Sequence, residues 1–200
     1  MEMQIIGFKI TFIKNIGEIS EQKIKMLFDE FDDKLPDKNI IPEGIILSNN
    51  VAGLVQSLLV TPTQTAYSEE GNIKDIDFEK PKSIIKNICD KLYLNDNLGV
   101  LYNFTCLIDG KEHSNMLKNK LDMDLNMDSI KGVGIRVFLD NENYSGIFSF
   151  EPYLRSLDKY FCSLELQLKK QASINEVIEY GKNESLNLFN EMAEKVYNNL

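Results

Sequence analysis

Apolar residues alternate from the first stretch of the chain. Ile6, Phe8, Ile10 and Phe12 fall on one side, with Gly7, Lys9 and Thr11 on the other. A period of two predicts a half-buried strand. Ser20 then stands as an N-cap before Ile24, Leu27, Phe28, Phe31 and Leu35, which recur at helical spacing. Residues 45–47 and 54–61 are apolar runs around Ser48-Asn49-Asn50, a pattern that predicts a hairpin. Pro62 restricts the chain, residues 63–67 continue the strand pattern, and the polar stretch 68–80 reads as a loop. Pro81 suits the first turn of a second helix that turns Ile84, Ile85, Ile88, Cys89 and Leu92 inward.

The second half offers the strongest strand, residues 98–108. Val100, Tyr102, Phe104, Cys106 and Ile108 share one face, and Leu101, Asn103, Thr105 and Leu107 the other. So little polarity on either side predicts a central place in the sheet. Asp109-Gly110 closes it as a turn. Val133, Ile135, Val137 and Leu139 alternate next, followed by the loop 140–143 and a hairpin partner over 144–150. Cys162, Leu164, Leu166 and Leu168 alternate with Ser163, Glu165, Gln167 and Lys169, as in a sheet with one wet face. Ser173 and Glu176 form a capping box for a final helix, in which Gly181 predicts a kink or break over 181–183.

This order of elements predicts an α+β fold: a mainly antiparallel sheet with three amphipathic helices packed on one face. Residues 1–200 read as a single domain, divisible into halves 1–95 and 96–200 that each place an amphipathic helix after strands. Gly134-Ile135-Arg136-Val137-Phe138 and Ser185-Leu186-Asn187-Leu188-Phe189, set in this layout, resemble a sporadically distributed, uncharacterised family of bacterial α+β proteins. That resemblance implies a fold and supplies no catalytic residues.

Composition narrows the chemistry more than it suggests any. His113 is the only histidine, so a two-histidine metal site cannot form within one chain. Thirty-one acids against twenty-two bases give a net charge of -9, which opposes binding to duplex DNA. No apolar run reaches the ~18 residues of a membrane span, and the N-terminus lacks the basic and apolar regions of a signal peptide. Cys89, Cys106 and Cys162 are odd in number, widely spaced and set in apolar patterns. They read as buried thiols in a reducing cytoplasm.

Three constellations could carry chemistry. Asp122, Asp124, Asn126 and Asp128 place oxygen ligands at alternate positions, as a calcium loop begins. Met127 and Val133, however, stand where such a loop needs glycine and a closing glutamate. The better reading is an extended edge segment, Leu121 to Met127, whose acidic side selects a basic protein partner. Asp75, Asp77 and Glu79 alternate likewise, and a carboxylate-dependent hydrolase or metal enzyme would need Asp75, Asp77, Asp122 or Asp124 to converge in a pocket. Arg136 occupies a sheet position in a chain whose only other arginine is Arg155. It is the candidate for an anionic or nucleotide-like ligand, against the plainer role of pairing with an acid on the next strand. No catalytic residue, metal ligand or cofactor emerges. The leading expectation is a non-enzymatic protein-binding module (an assembly subunit, adaptor or inhibitor) that engages a protein partner or itself.

Overall fold

A computed structural model describes residues 2–95, 97–110, 134–156 and 158–199. The alternating segments form nine strands: β1 (Met3–Ile13), β2 (Asp37–Ile41), β3 (Gly44–Val51), β4 (Leu54–Val60), β5 (Gln64–Ile73), β6 (Gly99–Asp109), β7 (Ile135–Asp140), β8 (Tyr144–Pro152) and β9 (Lys159–Leu168). All ladders are antiparallel, in the order β2-β3-β4-β5-β1-β6-β9-β8-β7. The fold is α+β, as the periodicities predict.

The strand order repeats about the seam between β1 and β6. In the first half the chain passes from β1 to the terminal strand β2, and the β2–β5 meander returns inward so that β5 pairs with β1. In the second, β9 returns to pair with β6. Each returning strand is followed by a helix: α2 (Glu79–Lys91) after β5, and the pair α3 (Ile174–Tyr180) and α4 (Leu186–Asn199) after β9. Helix α1 (Glu21–Phe31) connects β1 to β2. Its start is fixed as expected, with Ser20 accepting from the backbone N–H of Lys23.

One sheet face carries the core. Directly paired residues share a face, so Phe8 of β1 stands beside Phe104 of β6, Leu164 of β9 and Phe148 of β8. All four are buried. Phe104 is the hub: its ring lies 5.6 Å from that of Phe8 and 5.5 Å from that of Phe189 in α4. Phe78, just ahead of α2, meets Phe8 edge-on at 5.0 Å. The opposite face is lined by shorter and polar groups, including Ser48, Ser57, Ser68, Lys9, Asn103 and Glu165 in one cross-strand row.

The structure departs from the sequence expectation in three places. The turn after residue 47 does not occur at Ser48-Asn49-Asn50: β3 continues to Val51, and the chain reverses at Ala52 and Gly53. Both have positive φ, 53° and 83°, the signature of a tight hairpin whose twist matches its strands. Residues 68–73, polar enough to read as loop, extend β5, because ladders with β1 and β4 on either side satisfy their backbone. Strand β2 leaves no clear signature in the sequence, since four of its five residues are exposed and it has only one ladder.

The break expected near Gly181 is a π-helical turn, Gly181–Ser185, between α3 and α4. Ser185 donates its hydroxyl to the Gly181 carbonyl at 2.9 Å inside this turn. Here the helix backbone presses on two rings: a Cβ on Gly181 would lie 2.5 Å from Phe78 Cε1 and 3.0 Å from Tyr102 Cε1. Helix propensity alone would make Gly181→Ala stabilising by about 1 kcal/mol. The clash outweighs it, because both rings are buried and overpacking costs about 1–3 kcal/mol. Urea denaturation of Gly181→Ala should therefore show a lower midpoint than the parent; a higher one would contradict this packing.

The three cysteines are buried as thiols. Cys106 and Cys162 face each other across β6 and β9, and their contact together with burial pushes the Cys162 thiol far above its ordinary range. Native labelling with a maleimide should be slow, with three thiols reacting after denaturation. Rapid labelling of all three in the native protein would refute the burial.

Candidate functional site

Strands β2 and β7 end the sheet among the described residues. A terminal strand leaves the N–H and C=O groups of alternate residues pointing away from its single neighbour. Beside β2 this row of groups borders an apolar groove. Ile40 pairs with buried Ile45, which puts its side chain on the helix-covered side. Yet Ile40 lies beyond the cover of α1 and is 62% exposed.

Ile40, Ile41 and Pro42 come from the β2–β3 hairpin, Ile19 and Ile24 from the start of α1, and Pro62 from the β4–β5 turn. Together they line a depression of about 690 Å³ whose charged lining residues are Glu18 and Glu43, with no lysine or arginine among the described residues that form it. Among the described residues the result is a strand edge with one ladder partner beside a depression lined by these apolar side chains, by Thr61, Thr63 and Gln64, and by two acids. Lys38, also on β2, is engaged elsewhere, by Asp32 and over the Phe28 ring at 5.4 Å. The short length of β2 and its lysine blunt unselective pairing.

A second cavity, about 520 Å³, opens where the end of α1, the start of α2 and strands β3–β5 meet. Three of its lining residues, Gln56, Tyr67 and Lys80, hold Glu69, which is not itself in the lining and whose side chain is only 2% exposed. The alternation of β5 sends Tyr67 and Glu69 to the same side, and register places Gln56 opposite Glu69. Tyr67 donates its hydroxyl to Glu69 Oε1 at 2.6 Å, Gln56 its amide at 2.8 Å, and Lys80 its ammonium at 3.3 Å. Burial, reinforced by the carboxylate, pushes the Tyr67 phenol far above its usual range and keeps it a donor. Sequence reasoning misses this group. The signal present is a glutamate in phase with Tyr67, inside a segment polar enough to pass for a loop.

Of the acidic alternation, Asp77 accepts from the backbone N–H of Glu79 at 2.9 Å, shaping the entry to α2. Glu79 is bridged by Lys182 at 2.6 Å and Lys82 at 3.4 Å, and the Lys182 contact holds its carboxyl below the usual range. Both residues line the second cavity, whereas Asp75 is absent from its lining. Arg136 sits on terminal strand β7, mostly exposed, and donates Nε and Nη2 to Glu151 Oε1 of β8 at 3.2 and 3.1 Å. That is the plainer, cross-strand pairing, and Arg136 lines neither cavity. Asp122, Asp124, Asn126 and Asp128, like His113, lie outside the described residues. Among the described residues no group of three histidine, cysteine or acidic side chains could hold a metal ion.

Among the described residues this geometry defines an α+β protein with a nine-stranded antiparallel sheet whose terminal strand β2 is flanked by apolar side chains. Among the described residues, no helix is long and apolar enough to cross a membrane. Comparison with protein-family models, with curated proteins and with solved structures finds no match.

Proposed function

We propose that this chain is a non-enzymatic protein-binding module, an adaptor, inhibitor or assembly subunit, that receives an extended segment of another protein along β2. The observation that supports the reading is the coincidence of an edge that has no second ladder among the described residues with the Ile19–Ile24–Ile40 groove. An added strand gains main-chain hydrogen bonds from the edge, and its alternate side chains drop into the groove. Specificity comes from the rim. Glu18 and Glu43 favour a segment whose apolar residues are flanked by lysine or arginine. Self-pairing through β2 is disfavoured, because it would bring two acidic rims and two chains of net charge -9 together.

The same net charge argues against duplex DNA as a partner. Three buried thiols suit a reducing compartment, so we place the activity in the cytoplasm. The acidic segment 122–128 remains a second proposed contact for a basic partner. The small-ligand alternative through Arg136 is the lesser one, since its guanidinium already spends two donors on Glu151.

Selection from a displayed library of random peptides tests the reading. Enriched sequences should alternate apolar residues and carry Lys or Arg, and their binding should weaken as salt rises. Enrichment of acidic sequences, or of helical apolar patterns instead of alternating ones, would overturn it.

A further inference from the structure

We propose that the cavity lined by Gln56, Tyr67 and Lys80, the three donors to Glu69, is a binding site for a small organic cation, a primary amine or guanidine, and that the Lys80 ammonium is its resident stand-in. A carboxylate this deep is costly to desolvate, and an apolar side chain of similar volume would often serve stability as well or better. Its three donors all line the cavity and divide by charge and by contact length. The two neutral donors, Tyr67 and Gln56, make the shorter contacts to Oε1, at 2.6 and 2.8 Å. Among the described residues the cationic donor is Lys80, which makes the longest contact, at 3.3 Å; its side chain is 46% exposed and lines the cavity. A half-exposed ammonium on a four-carbon stem can swing out and yield its place to another cation.

The remaining charges leave that position negative. Glu79 is paired with Lys82 and Lys182 and Asp77 accepts from the α2 backbone, while Asp33 and Lys34 bring one charge of each sign to the lining. Once Lys80 moves aside, Glu69 is the uncompensated charge, so an anion would meet repulsion and a monocation attraction. Ile84 offers an apolar wall, and Asn49 and Ser83 offer polar contacts to the rest of the ligand. The volume of about 520 Å³ suits a small molecule.

The test removes the resident cation and supplies one from solution. Lys80→Ala is titrated with ethylammonium chloride and with methylguanidinium chloride, with sodium chloride and sodium acetate as controls. Melting temperature and amide chemical shifts are the two readouts. The expected result is a lowered melting temperature that either organic cation restores and neither control does, with shifts at Gln56, Tyr67 and Ser83. Affinity for the cations should be about tenfold higher than in the parent chain, where Lys80 competes. Adding Glu69→Gln should abolish the rescue. If Lys80→Ala does not fold, Lys80→Met, which keeps the aliphatic stem, is titrated in the same way. Equal rescue by sodium chloride, a response to acetate, or unchanged shifts at the cavity with both cations would overturn the proposal.

Discussion

Phe104→Ala is expected to cost this protein about 3–5 kcal/mol of stability, the range seen when a large buried aromatic is truncated. Phe104 is fully buried in β6, the strand that joins the two halves of the sheet at β1. Its ring contacts tie together Phe8 of β1, Tyr102 of its own strand and Phe189 of α4. The loss therefore combines transfer free energy with a cavity bounded by β1, β6 and α4, and ladders on both sides of β6 restrain the backbone from closing over it. Domains of this size lose roughly 2–4 °C per kcal/mol, so the melting temperature should fall by about 10 °C. Urea unfolding should show a lower midpoint with an unchanged slope. A loss under about 1 kcal/mol would mean that the halves are not packed through this ring.

The core around Phe104 is legible in the sequence because its strand shows period-two apolarity without interruption, and burial follows that period closely. Tyr102, Phe104, Cys106 and Ile108 are each 0% exposed. The capping box at Ser173 and Glu176 is equally plain, since three residues of spacing suffice to define it, and both of its hydrogen bonds form. What stays hidden in the sequence is whatever depends on neighbours distant in the chain. Residues 68–73 are polar, and their strand state comes from pairing with β1, far earlier in the chain. Glu69 looks solvated in one dimension and becomes buried only when Gln56 and Lys80 are brought to it. Ile40 belongs to a short, mostly polar run, and its significance arises only beside Ile19 and Ile24. Arg136 is identifiable as unusual in this composition, but its partner Glu151 follows from the β7–β8 register.

Ile40→Glu is expected to abolish binding of an added strand, lowering affinity by about a hundredfold or more, as loss of a central apolar anchor worth about 2–4 kcal/mol would do. The substitution puts a third acid into a groove already rimmed by Glu18 and Glu43 and removes the side chain on which the partner would rest. Because Ile40 is 62% exposed, the fold should barely notice, with a stability change within about 0.5 kcal/mol. That separation is the diagnostic: equal melting temperatures and unequal binding. Glu43→Lys should act differently, weakening basic peptides by a smaller factor and flattening their salt dependence. A peptide that binds Ile40→Glu as tightly as the parent would place the partner elsewhere on the protein.

Addition of a partner strand to β2 is read at single-residue level by amide hydrogen exchange measured with and without a library-selected peptide. New protection is expected at alternate amides of Asp37–Ile41, where β3 leaves every second N–H facing outward, with the rest of the sheet unchanged. Protection confined to another surface, with β2 exchanging as fast as in the free protein, would contradict it.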